Sequence, residues 1–214
     1  MLNLLKDYRA RQQRKASLSQ RFTAVHDKNL WGSDESRSGA GSARNAPSVA
    51  VAAEAIRKAV DENGVRTLSD IPCGDFNWMP DVLPTLSGVS YIGFDIVFSA
   101  LQNNKDRFPQ YEFRVLDIVT TVPPYADLIF CKDLMNHLND DDVKSCIANM
   151  KASGSKFLLA SNNAGFANAP LPDIPQGSRL LDITAPPFGF NPPLWTADNY
   201  LSLWRLQDIG ECKF

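Results

Sequence analysis

Aspartates recur at the ends of successive apolar runs in this 214-residue chain. Asp70 ends VRTLSD, Asp95 falls in VSYIGFDI, Asp117 in YEFRVLDI, and Asp133 closes ADLIFCKD. The first three stand 25 and 22 residues apart, and the last run follows after 10 to 16 more. A carboxylate at the carboxyl end of a strand is set to accept hydrogen bonds from a polar ligand. After the second run it can accept both hydroxyls of a ribose, and after the third it can accept from an exocyclic amine. Between the first two runs, DIPCGDF supplies Gly74, which allows close backbone approach. Asp75, next in that turn, reads equally as a ligand contact or as an ordinary turn residue. Cys131 reads as core filling rather than as a nucleophile.

The elements that would carry these residues follow from periodicity. Five β-like runs, VRTLSDI, VSYIGFDI, YEFRVLDI, ADLIFCKD and SKFLLASN, alternate with helix-like stretches. SVAVAAEAIRKAVDENG predicts a helix with Ser48 as N-cap and Gly64 as its stop. LPTLSG gives a short first crossover and FSALQNNKDRF a second. NDDDVKSCIANMKAS gives a later helix with Asn139 as N-cap and acids in its first turn. Strands alternating with helices predict an α/β, Rossmann-like, doubly wound sheet that is mostly parallel. SRLLDIT and YLSLWRLQDI predict an antiparallel C-terminal strand pair, and the long stretch from about Ala164 to Gly177 is a candidate for substrate contact. One domain over residues 1–214 is expected, with 1–46 forming an N-terminal arm and a loop. Residues 1–22 read as a basic amphipathic helix, suited either to a partner surface or to packing on its own domain. LWGSDESRSGAGSARNAP reads as a Gly/Ser-rich lid loop.

Composition narrows the classes. With 44% hydrophobic residues, 21% charged residues and a net charge of −2, the chain reads as globular, without the basic excess of a protein built to hold phosphate backbones. No apolar run reaches membrane-span length, and the first residues lack a secretory pattern, so a cytoplasmic location is expected. Cys73, Cys131, Cys146 and Cys212 lack paired zinc spacing and are expected as free thiols. With only His26 and His137 and no H-E-x-x-H, no metal is expected.

At LSDIPCGDF the chain resembles the class I S-adenosylmethionine-dependent methyltransferases, whose first motif runs L-D-x-G-C-G-x-G, although Pro72 and Phe76 stand where glycines are usual. The resemblance extends to a narrower bacterial group with a W-G-x-x-E-S-x-S-G-x-G-S loop, matched here by Trp31, Gly32, Glu35, Ser36, Ser38, Gly39, Gly41 and Ser42. That group also has D-x-P-C-G-D-F-x-W-M, Y-I-G-x-D-I and a later H-L, reproduced from Asp70 to Met79, from Tyr91 to Ile96 and at His137-Leu138. The resemblance covers most of the chain from Trp31 to about Asn163. It implies S-adenosylmethionine as cofactor, with the backbone of Cys73 and Gly74 toward its amino-acid end, Asp95 at the ribose, Asp117 with Ile118 at adenine, and Ile96 among the cofactor contacts. Asp70, Asp75 and Lys132 join this cofactor set. In the loop, Trp31 is expected to cover an apolar face and Ser38 to donate to the cofactor carboxylate.

Methyl transfer from a sulfonium is an in-line displacement, so orientation carries much of the rate. A hydroxyl acceptor would gain from a general base. Asp133 and His137, after the fourth run, are the candidates; the alternative is that Asp133 caps a turn and His137 packs under the next helix. The acceptor is expected to be a small molecule or glycan, methylated on oxygen. NPPL at 191–194 resembles the N-P-P-[YF] signature of amino methyltransferases, but it stands away from the fourth run and Leu194 lacks the stacking ring. It reads instead as a Pro-rich loop, with Phe188 and Phe190 as candidate acceptor-pocket residues. The competing functions are a cofactor-binding protein without turnover and an NAD-dependent dehydrogenase; the absence of G-x-G-x-x-G counts against the latter.

Overall fold

The computed structural model describes residues 18–210. The basic segment before Leu18 and Cys212 lie outside the described residues. Residues 18–27 are helical (α1) and lead through a turn into the Gly/Ser-rich loop, which ends in a 3₁₀ turn at Ala40–Ser42. Then come α2 (Pro47–Asn63), β1 (Thr67–Asp70), the short α3 (Met79–Val82), β2 (Ser90–Asp95), α4 (Phe98–Arg107), β3 (Glu112–Val115) and β4 (Leu128–Cys131). After a 3₁₀ turn at Met135–His137 follow α5 (Asp140–Ala152), β5 (Phe157–Ser161), β6 (Trp195–Ala197) and β7 (Leu201–Arg205). The seven strands form one sheet in the order β3-β2-β1-β4-β5-β7-β6. The first five are parallel, and β7 runs antiparallel to both β5 and β6. The mostly parallel, doubly wound sheet expected from the alternating pattern is the one observed.

Its two faces are separately packed, as a doubly wound sheet requires. Along β4 and β5, Leu128, Phe130, Phe157 and Leu159 join one apolar cluster with α2 and α3, while Ile129, Cys131, Leu158 and Ala160 join the other with α5. Gly64 ends α2 at φ 61°, the left-handed conformation that favours glycine. The Asn139 side chain caps α5 by accepting from the Asp142 amide. Three sequence expectations are corrected. Helix α2 starts at Pro47, whose fixed φ suits the first helical position, with Ala46 before it, so Ser48 lies inside the first turn and donates to the Gly41 carbonyl instead of capping. SRLLDIT forms no strand; the antiparallel partner of β7 is Trp195–Ala197, while Leu181 and Ile183 bury themselves from an irregular segment. Phe188 and Phe190 lie in the core cluster rather than along a ligand pocket.

Candidate active site

The chain runs outward from β1 to β3 and returns to β4 on the other side of β1, so the strand order reverses between β1 and β4. In open α/β sheets the carboxyl ends at such a point form the ligand crevice. A cavity of about 370 Å³ lies there, within the ordinary range of small-molecule sites. Every candidate site residue lines it: Asp70, Cys73, Gly74 and Asp75 after β1, Asp95 and Ile96 after β2, Asp117 and Ile118 after β3, Lys132, Asp133 and His137 after β4, and Trp31 and Ser38 from the loop. Leu18, Phe22 and His26 of α1 complete the wall.

The acids sit in distinct surroundings. Asp95 is buried, with one carboxylate oxygen accepting from the Gly74 amide at 2.9 Å and the other from the Val97 amide at 2.8 Å. Burial pushes its carboxyl up against the pull of those bonds. A carboxylate offers about four acceptor sites, so capacity remains for a ligand hydroxyl. Asp117 likewise accepts from the Val119 amide and the Thr120 hydroxyl, which makes it a turn cap as well as a cavity residue. Asp70 accepts from the Tyr91 hydroxyl at 2.8 Å, and burial raises its carboxyl to about 8, aided by nearby Asp95 and opposed by Tyr91 and Lys132. Among the described residues none of Asp70, Asp75, Asp95 and Asp117 forms an ion pair.

Gly74 holds φ +55°, and a side chain there would overlap the Ser38 hydroxyl. Its amide already bonds Asp95 and its carbonyl accepts from Asn104. The first turn is thus tied to β2 and α4, and it faces the cavity as a preformed wall. Cys73 is buried, its thiol donating to the Gly74 carbonyl, and burial drives the thiol well above its ordinary value. Asp75 and Ser38 act on each other: Ser38 donates to Asp75 Oδ1 and accepts from the Asp75 amide, while Ser36 and the Arg37 amide also donate to that carboxylate. The loop from Trp31 to Ser42 is therefore fastened over the crevice at Asp75. It is fastened again at its far end, where Lys132 Nζ donates to the Gly41 carbonyl at 3.0 Å. The Trp31 indole N–H has no partner among the described residues, and its ring lies 5.4 Å from that of His137.

Asp133 adopts φ +54° and is gripped from three sides. Lys132 reaches its Oδ2 at 2.6 Å, Tyr200 donates to the same atom at 2.7 Å, and Ser161 donates to Oδ1 at 3.1 Å. Burial alone would raise its carboxyl, but the Lys132 ammonium and these hydrogen bonds outweigh burial and hold it below the ordinary range. His137 differs. Its Nδ1 lies 2.8 Å from the Gly177 carbonyl, an acceptor only, so Nδ1 carries the proton and Nε2 is the bare nitrogen. Burial lowers its pKa, opposed by the Gly177 bond and by Asp133, which keeps the ring neutral near pH 7. Ser161 and Tyr200 were not singled out from sequence; Tyr91 was matched as the first residue of Y-I-G-x-D-I and Gly177 named as the end of a candidate substrate-contact stretch, neither with a role of its own.

No protein-family model matches the chain, and no curated protein sequence matches it. Solved structures do. LaPhzM superposes with a TM-score of 0.52 at 16% identity, over 72% of this chain and 53% of that one. The methyltransferase domain of a bacterial CtHen1 gives a TM-score of 0.47 at 13% identity, over 53% of this chain and 66% of that one. Human N-acetylserotonin methyltransferase, solved in complex with SAM, gives 0.45 at 16% identity, over 52% and 33%. The chain spans from a third to about two thirds of the lengths of these structures. What LaPhzM shares with it is a Rossmann-like α/β fold.

Proposed function

We propose that this protein binds S-adenosylmethionine in the crevice and transfers its methyl group to an oxygen of a small-molecule or glycan acceptor. The observation that carries the reading is the convergence of the strand-end acids on one cavity of suitable size, with unused acceptor capacity on Asp95 and Asp117 and, among the described residues, no cation paired to these two. A ligand bearing a sulfonium and an ammonium suits such a set, since buried carboxylates without cationic partners favour positive charge. The adenosyl group's hydroxyls and amine suit the open acceptor sites on Asp95 and Asp117. Trp31 and Ile118 are apolar cover, and Lys132 and Asp75 hold the loop that shapes the cavity. When bound, the cofactor supplies the electrophilic methyl group.

Of the two candidate bases, the geometry favours His137. Asp133 is held ionised by an ammonium and two hydroxyls, which makes its carboxylate a weak proton acceptor. His137 lines the cavity and has a neutral ring with Nε2 bare, the state a general base needs. Its role is to take the proton of the acceptor hydroxyl while the cavity aligns oxygen and methyl. Incubating the protein with methyl-labelled cofactor and a panel of metabolites and glycans should label a hydroxyl-bearing acceptor. His137→Gln should then lower turnover by about 10²-fold or more while leaving cofactor affinity unchanged. The wild-type rate should rise with pH as the imidazole loses its proton, with a midpoint below the ordinary histidine value of 6.5. Wild-type turnover in His137→Gln on a labelled acceptor would remove it as the base.

A further inference from the structure

We infer that the Gly177 backbone carbonyl is a positioning group that fixes His137 in one tautomer, so that the irregular segment between β5 and β6 is part of the acceptor end of the site. The inference rests on the reading of His137 as the base, but its physical content can be measured without turnover. The Gly177 carbonyl takes the Nδ1 proton at 2.8 Å, leaving Nε2 without a protein partner among the described residues. The turn that presents this carbonyl needs glycine: a Cβ at 177 would lie 2.5 Å from the Pro172 carbonyl oxygen and 3.1 Å from that of Ile174, both rigid backbone atoms. The Gly177 amide itself donates to the Ile174 carbonyl at 2.9 Å, closing the turn.

Two further ties hold the turn against the histidine. The Arg179 amide donates to the Asn136 carbonyl, and the Arg179 guanidinium donates to the Leu138 and Ala169 carbonyls and pairs with Asp140 at 2.6 Å. From the opposite side Arg21 of α1 donates to the His137 carbonyl at 2.7 Å. The ring therefore faces Trp31 from the loop, Arg21 from α1, Asp133 after β4 and Gly177 from the β5–β6 segment. Among the described residues, only the Gly177 oxygen bonds the ring. In hydrolase triads the partner of the histidine's second nitrogen sets the tautomer, and the wrong tautomer costs up to about 10⁴ in rate; a carbonyl does the same task here without adding a charge.

Because the chain has only two histidines, ¹⁵N spectra of histidine-labelled protein near pH 7.5 resolve the question, with His137→Gln assigning the signals. The wild type should carry its His137 proton on Nδ1; a proton on Nε2 overturns the inference. In Gly177→Ala the displaced carbonyl should release the ring into a mixture of tautomers. Arg179→Ala, which loosens the turn without crowding it, should do so to a smaller degree and serves if the alanine variant does not fold. A single unchanged tautomer in the folded variants overturns the positioning role. On an identified acceptor, Gly177→Ala should lower turnover by about tenfold or more and move the midpoint of the pH profile down, because the lost bond favours the protonated ring. A tautomer change with unaltered turnover would contradict His137 as the base while leaving the positioning intact, so the two readings fail separately.

Discussion

At the scale of single residues, the strand-end acids do two things at once. Asp95 and Asp117 tie the turns that follow their strands to backbone amides and hydroxyls, and both line the cavity with acceptor sites to spare. Asp70 is the acid whose charge state is set most firmly by burial. Its folded value of about 8 exceeds the ordinary 3.8, so between about pH 4 and pH 8 the folded protein holds a proton that the unfolded chain has released. The stabilisation from that proton is complete below the lower value and lost as pH rises through the upper one. Stability should therefore decline across this window with a slope approaching about 1.4 kcal/mol per pH unit, and Asp70→Asn should flatten it. Urea unfolding at several pH values measures the slope, and equal slopes in the two proteins would contradict the assignment.

Residue positions were legible from sequence because period-two alternation fixes where a strand ends, and a carboxylate at that end has one crevice to face. Roles were less legible. Asp75 reads in the sequence as a turn residue or a ligand contact; in the structure its carboxylate accepts from Ser36, Arg37 and Ser38, partners 37 to 39 positions away. Gly177 carried no local signal, since the need for glycine comes from a turn whose carbonyls crowd it.

At the scale of elements, the informative case is the Gly/Ser-rich loop. Its composition predicts mobility, yet Asp75 and Lys132 clasp it at two points and α1 continues the same roof with Leu18, Phe22 and His26. Removing the Asp75 clasp in Asp75→Ala takes away three acceptor bonds to a carboxylate, each a charge-assisted bond of about 1.5 to 3 kcal/mol. Cleavage after Arg37 and Arg44 by a trypsin-like protease should become faster in that variant, and cofactor should restore part of the protection. Identical cleavage of variant and wild type would contradict the clasp. The C-terminal elements show the opposite failure of pattern reading. SRLLDIT alternates like a strand, but Asn162 and Asn163 satisfy the amides of Leu181 and Ile183 from the side, so the segment meets its backbone needs without joining the sheet. Trp195–Ala197 takes the edge instead, too short to stand out in sequence.

At the scale of the whole molecule, one sheet, two apolar faces and a crevice at the point of strand reversal make a ligand-binding framework that by itself names no chemistry. The charge of the crevice narrows it: among the described residues Asp70, Asp75, Asp95 and Asp117 line it without an ion pair, while Lys132 there is committed to Asp133 and Gly41. A dinucleotide carrying two phosphates would bring negative charge to that wall, whereas an adenosyl sulfonium would bring positive charge. Isothermal titration calorimetry of the protein with S-adenosylmethionine, its demethylated product and NAD is the most direct measurement. Saturable binding of both adenosyl ligands and none of NAD is expected; binding of NAD with none of either adenosyl ligand would contradict the proposed cofactor.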